Sequence, residues 1–397
     1  MSRTRKAAAA HPDRKEIARY LLSRGAEQLE EEGDEAAPMR AVGVRAGPAK
    51  PAFAFPPGLA PAPRPITPAP LPSNRLPRVD VVVVTWTVDE LAGLAKVMTP
   101  GVSPTRWHQY TRGMRTTYAG KIRAAAPAAQ SGRLGSYMPV DVNGTKVLCM
   151  KSELHLNQDG VKTGEGTATL PVKDFFKQII DEAKPKLILT IGTAGGVFED
   201  FELGDTVVSR AAKFRLQMEF RNEPFNGKTF RSDWQIPTSQ FPAALEMMAT
   251  VAPELTEPPF APPTKRFPFD RQPIAAPANT PDIKLEQGGK DMPEFHPILT
   301  TDYFEYGTTA NRLDREGAAV EMGDAALGLA CSELDNPPHW AAVRNMSDPV
   351  INGDLPAKEF RLNEQTTWAV GYYVAYGKYT SICGALATWA IIAGLPP

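Results

Sequence analysis

Short apolar runs recur from residue 79 onward, and most end in glycine or polar residues: VDVVVVT at 79–85, KVLCMKS at 146–152, LILTIG at 187–192, DTVVS at 205–209, PILTTD at 297–302, AAVEM at 318–322 and HWAAVRNMSD at 339–348. Runs that are apolar on successive residues, rather than on alternate ones, read as strands covered on both faces. Helical patterns lie between them at 89–97, 172–183, 324–334 and 364–392. The alternation predicts an α/β fold, a three-layer sandwich with a central mixed sheet. In such sheets ligands sit at the carboxyl ends of the strands, so chemistry is sought there.

Prolines set the outer limits of this pattern. There are 39, clustered at 34–78 and 251–281. A residue without an N–H and with a fixed φ does not join a ladder or a helix, so 34–78 is expected to be an extended tether. The stretch 12–33 carries Ile17, Tyr20, Leu21 and Leu29 on one stripe and is predicted to be an amphipathic helix. Residues 1–78 are accordingly expected to be an N-terminal extension, largely disordered, whose helix either docks on a regulatory protein or a sister subunit or makes no specific contact. A catalytic domain is expected over 79–397, interrupted by an insertion around 210–295.

Composition narrows the function classes. With 44 basic against 45 acidic residues the net charge is −1, which argues against a nucleic-acid or anionic-membrane binder. The most apolar stretch, 382–395, is too short to span a bilayer, and no apolar run follows the early basic residues as in a secretory signal. Three scattered cysteines and five histidines without metal-type spacing point to a reducing, cytoplasmic setting with neither metal nor cofactor.

The strand ends carry the candidate chemistry. After the first strand, Asp89 and Glu90 open a helix, where acidic residues also simply favour the helix dipole. The second, LILTIGTAGGV, has three glycines that let a ligand approach the backbone, with Thr190 and Thr193 as hydroxyl donors; it is neither G-x-G-x-x-G nor a P-loop. The third, GAAVEMGDAALGLAC, places Glu321 before a helix of small residues. The fourth, WAAVRNMSDPV, ends in Arg344, Ser347 and Asp348.

In this order and spacing the four motifs, with LGDTVVS at 203–209, resemble the nucleoside phosphorylase/nucleosidase superfamily, and within it the methylthioadenosine/S-adenosylhomocysteine nucleosidase branch. The resemblance extends over about 79–395, with 210–295 poorly matched. It implies a nucleosidase: a homo-oligomeric purine N-ribosyl hydrolase that frees the base from a small-molecule nucleoside or nucleotide. Its acid, which protonates the departing base, matches Asp348, with Ser347 beside it. The residue that directs the attacking water matches Glu90. Phe304 matches a ring that stacks on the base, with Asp302 close by, and Met322 a residue under the ribose. Thr193, Gly195, Glu321, Asp324 and Arg344 complete the expected substrate-binding set.

Two departures stand out. The family's V-E-M-E reads Glu321-Met322-Gly323-Asp324 here, so the sugar-holding Glu is replaced by Gly323. Thr190 stands where the hexameric phosphorylases carry a phosphate-binding Arg, which favours water over phosphate as nucleophile. A phosphate-dependent phosphorylase and a non-catalytic ligand-sensing or scaffold module are the alternatives. Residues 105–123 hold six cationic or His side chains and no acid. If these converge with Lys151 and His155, then Arg112, Arg115, Lys151 and His155 would suit a 5′-polyphosphate, making ATP-like molecules the substrate.

Overall fold

The computed structural model describes residues 53–156, 163–253, 255, 280–285, 296–355, 357 and 364–396. Its strands are β1 (Ala62–Pro63), β2 (Val81–Thr85), β3 (His108–Tyr110), β4 (Gly135–Val142), β5 (Thr145–Ser152), β6 (Leu187–Gly196), β7 (Thr206–Ser209), β8 (Ala211–Phe214), β9 (Thr229–Arg231), β10 (Ile283–Leu285), β11 (Ile298–Thr300), β12 (Ala319–Glu321) and β13 (His339–Asp348). They join in one mixed sheet whose main path runs β1-β4-β5-β2-β6-β12-β11-β8-β9.

The helices that position the site are α1 (Val88–Met98), α2 (Pro127–Ser131), α3 (Pro171–Ala183), α4 (Phe241–Val251), α5 (Asp324–Ser332) and α6 (Glu364–Ala393). Successive β2 residues point to opposite faces of the sheet. Val82 and Val84 join a core with Phe175 and Phe176 of α3 and Ala325 of α5. Val81 and Val83 join a second core with Leu94 of α1 and Leu386 of α6. The predicted sandwich is therefore the observed fold. On the second face α1 and α6 approach closely at Gly93, where an added Cβ would lie 2.7 Å from Ser381.

β6 is the hinge of the architecture. It pairs in parallel with β2 over Leu187–Thr190 and with β13 over Leu187–Gly195, then turns antiparallel to β12 at Gly195 and Gly196. The glycines read as a turn after the strand are thus part of the strand itself. Backbones and side chains press on it from several directions, and a Cβ at Gly195 would stand 3.0 Å from both Val320 and Asp348 Oδ2. The parallel register brings Thr85, Thr193 and Asp348 to one edge of the sheet.

The N-terminal expectation needs correction for residues 53–78, which lie on the body of the protein. β1 pairs with β4 at Ala62↔Asp141 and Pro63↔Val140, and Arg64 N–H continues the ladder to Pro139 O at 2.8 Å. Proline is tolerated because β1 is an edge strand that needs donors on one side only. Phe55 packs on Trp389 at 4.9 Å between centroids, Trp389 Nε1 donates to Leu59 O, and Leu76 is buried. The boundary expected at 79 therefore falls too late. The helix expected at 12–33 and residues 34–52 lie outside the described residues, as does most of 251–281. Within 210–295, β8 and β10 belong to the main sheet rather than to a surface insertion.

Candidate active site

Glu90 is the third residue of α1 and closes a capping box with Thr87. Its Oε2 accepts from Thr85 Oγ1 at 3.1 Å, Trp86 N at 3.0 Å and Thr87 N at 2.8 Å. Its Oε1 accepts from Thr193 N at 2.9 Å and Thr193 Oγ1 at 3.0 Å, which ties α1 to β6. Burial alone would raise this carboxyl; the charge of Arg344 and the backbone donors outweigh it and hold Glu90 below the usual carboxylate range. Glu90 is thus a fixed anion. The helix-cap role open to it at the sequence level is real, and the fifth donor, the half-buried Thr193 hydroxyl, faces away from the cap.

Arg344 lies across Gly192 from Glu90. A Cβ at Gly192 would be 2.7 Å from Glu90 Oε1 and closer still to Arg344 Nη1, so only glycine lets both side chains meet there. The guanidinium grips Asp324 through Nε at 2.8 Å and through Nη2, and reaches Glu321 Oε2 at 3.0 Å. Glu321 Oε1 accepts from Thr300 Oγ1 at 2.5 Å and from Asp324 N at 2.9 Å. Burial, then the neighbouring Asp324, push the Glu321 carboxyl up, against the pull of Arg344. Burial would lower Arg344, but Asp324 and Glu321 raise it and keep it charged.

Asp348 differs from every other acid at this edge. It is 3% exposed and follows a bulge in β13. Its Oδ1 accepts from Ser347 Oγ at 2.8 Å, while Oδ2 has no hydrogen-bond partner among the described residues and faces Gly195. Burial pushes its pKa up to about 7, with Ser347 pulling weakly the other way. A carboxyl held half-protonated near neutrality, with one bare oxygen, is an acid ready to donate.

The loop after β11 closes over the same edge. Tyr306 Cα would lie 3.3 Å from a Cβ at Gly195, and Phe304, 39% exposed, sits 5.8 Å from the Tyr306 ring. Met322 is half-buried beside Glu321. The structure therefore brings together Glu90, Thr193, Gly195, Glu321, Asp324, Arg344, Ser347 and Asp348, with Phe304 and Met322 at the rim.

Asp302 does other work: its two oxygens take the backbone N–H groups of Gln217, Met218 and Phe220, at 3.0 to 3.2 Å, and so hold the loop after β8. The cations converge only in part: Lys151 and His155 lie within reach of each other's charge and of Glu90. Arg112 pairs with Glu182 at 3.0 Å, in the last turn of α3, and Arg115 is exposed on a separate turn. Lys151 is bonded to Glu153, which Arg133 also holds at 2.8 Å. Burial and then Lys151 push His155 down to about 4, leaving it neutral. Lys121, Arg123 and Arg215 are likewise paired, with Asp174, Glu219 and Glu305. A polyphosphate pocket is not assembled from these residues.

Two residues at the site carry no sequence signal. Trp86 covers the Arg344 guanidinium at 5.1 Å and is pinned by Nε1 to Leu154 O at 3.0 Å. Tyr373, on α6, bonds the Thr87 side chain; burial, then Asp89, Glu90 and Asp348, raise its phenol and keep it protonated. Among the described residues no cluster of three His, Cys, Asp or Glu could hold a metal, and no helix is long and apolar enough to cross a membrane.

Residues 160–369, more than half of the chain, match the family model of the Phosphorylase superfamily. The chain belongs to the phosphorylase superfamily. The matched stretch holds β6, β12 and β13, but not the segment 85–90 with Glu90 and Trp86, nor Tyr373. No curated protein matches the chain. Among solved structures it is similar to 5′-methylthioadenosine/S-adenosylhomocysteine nucleosidase of Neisseria meningitidis, at 15% identity and a TM-score of 0.41, covering 80% of this chain and 100% of that one. It is similar also to futalosine hydrolase of Helicobacter pylori, at 11% identity and a TM-score of 0.42, covering 79% and 98%. Strand ends of the central sheet surround Asp348, a buried acid with one oxygen unpartnered among the described residues.

Proposed function

We propose that this superfamily member is a purine N-ribosyl hydrolase acting on a nucleoside. The observation that carries the reading is the bare Oδ2 of Asp348, poised near pH 7 in a site otherwise filled with satisfied charges. Asp348 gives its proton to N7 of the purine, and the C1′–N9 bond breaks with its electron pair passing to the base. The oxocarbenium-like sugar is stabilised by a site in which Glu90 and Asp324, with Glu321 partly ionised, outweigh the Arg344 guanidinium. Water then bonds to C1′. Of the five donors on Glu90, four are backbone groups or the fully buried Thr85; only the Thr193 hydroxyl can rotate away, opening Oε1 to accept the water's proton. Both carboxyls reset through solvent.

The same charge balance opposes a phosphate dianion, and Thr190 is buried with its hydroxyl turned toward Ala341 O, offering no cation. Because the basic residues are spent on ion pairs, the nucleoside, rather than a nucleotide, is the substrate supported. The experiment is incubation with purine nucleosides with and without phosphate, with chromatography of the sugar product. Free base with free ribose, indifferent to phosphate, is expected. Ribose 1-phosphate as main product would install the phosphorylase reading, and no base release from any nucleoside would favour a non-catalytic ligand-binding module, which the saturated bonding of Glu90 would suit.

A further inference from the structure

Arg344 is held unevenly. Asp324 accepts from Nε and Nη2, and Glu321 Oε2 lies 3.0 Å from Nη2, so both acids grip one edge of the guanidinium. The third nitrogen, Nη1, lies across Gly192 from Glu90 Oε1. Bonds along one edge leave a planar group free to tilt about that edge. Tilting would carry Nη1 away from Glu90, the anion whose ionisation depends on it.

The indole of Trp86 opposes that tilt. Trp86 is the first residue past β2 and is buried. Its ring covers the guanidinium, with Arg344 Cζ 5.1 Å from the ring centroid. The ring is itself fixed: Nε1 donates to Leu154 O at 3.0 Å, and Phe176 meets it edge-on at 6.3 Å. A Cβ at Gly323 would stand 3.2 Å from Trp86 Cζ2 and 3.5 Å from Glu321 Oε2, so glycine there leaves the ring edge uncrowded. The backbone N–H of Trp86 donates to Glu90 Oε2 at 3.0 Å. Trp86 thus touches both partners, the anion through its main chain and the cation through its ring. A desolvated cation–ring contact is worth roughly thirtyfold in an equilibrium.

We propose that Trp86 is a positioning residue, whose indole holds the Arg344 guanidinium in the plane that turns Nη1 toward Glu90. The inference rests on the N-glycosidic reading above for the part it gives Glu90. Without the ring face Glu90 loses part of its counter-charge and takes a proton at higher pH. Lys151 and His155, after β5, and Tyr373 of α6 also feel the charge of Glu90. None replaces Arg344: Lys151 is bonded to Glu153, His155 is neutral above about pH 4, and Tyr373 stays protonated.

The test is the pH profile of kcat/KM for adenosine with the full-length protein, Trp86→Leu and Trp86→Phe. In the leucine variant the acid limb, where Glu90 gains its proton, should move up by about one pH unit. The alkaline limb, set by Asp348, should stay in place. The phenylalanine variant keeps an aromatic face and should shift less than half as far. A rate lowered equally at every pH, with the acid limb unmoved, would show the ring to be packing alone and overturn the proposal. If the wild-type protein cleaves no nucleoside, the hydrolase reading fails on its own, and the positioning is decided without substrate. Carbon-13 titration of the Glu90 carboxyl, assigned with Glu90→Gln, should show the same upward shift in Trp86→Leu; an unmoved midpoint overturns the proposal. Should the leucine variant not fold, Trp86→Met, closer in length and without a ring face, is read by the same criteria.

Discussion

Replacing Asp348 by Asn tests the site through stability, independently of any substrate. The carboxyl moves from an ordinary 3.8 to about 7 on folding because it is buried. At about 1.4 kcal/mol per pH unit, that displacement corresponds to roughly 4 kcal/mol as an upper value. The sign follows from proton counting. Between pH 4 and 7 the folded state holds a proton that the unfolded chain has lost, so rising pH destabilises the native protein across that window. The effect levels off above about pH 8. Asn cannot ionise and escapes the loss, although its amide leaves a donor unpaired where Oδ2 was bare, at about 1 to 3 kcal/mol regardless of pH. The informative quantity is therefore a difference: urea unfolding of both proteins at pH 5 and pH 8. The variant should gain on the parent by roughly 2 to 3 kcal/mol between those pH values. Parallel behaviour of the two proteins would show that Asp348 ionises normally and is not the poised acid.

Replacing Arg344 by Met removes the counter-charge of Asp324 and Glu321 and should cost about 3 to 5 kcal/mol in chemical denaturation, the range for breaking a buried ion pair; a loss below 1 kcal/mol would contradict the network described. A chain lacking residues 1–52 supplies the reference melting temperature. Deleting 1–78 should lower it markedly or prevent folding, since it removes β1, the Phe55–Trp389 contact and the Leu76 N–H bond to Glu182 at 2.8 Å. Equal stability of the two truncations would refute the packing of residues 53–78.

Much of the fold was legible because doubly covered strands and amphipathic helices leave long apolar signatures. The run at 339–348 is β13 residue for residue, and the helix expected at 364–392 gains only Ala393. What escaped lies where local rules give way to partners. β4 carries Pro139 and does not read as a strand, yet β5 on one side and β1 on the other supply its ladder. The proline-rich 53–78 looks like a tether until its Phe and Leu residues find α6 and α3. The glycines of β6 read as a turn because sequence shows flexibility but not the side chains crowding against it. At the site, Asp348 and Glu90 could be placed by motif order. The commitment of Asp302 to backbone amides, and of the cations to carboxylates, depended on tertiary neighbours that no spacing records. Trp86 and Tyr373 were invisible for the same reason.

The most direct measurement is the rate of base release from a purine nucleoside by the wild-type protein and by Asp348→Asn across pH 5 to 9. If Asp348 is the acid, the wild-type rate falls about tenfold per pH unit above about pH 7, as its proton is lost. The variant should then be slower by at least about a hundredfold at every pH, since an amide cannot protonate the leaving base. Near-normal turnover by a folded Asp348→Asn variant, or a wild-type rate that stays flat through pH 9, would contradict the account.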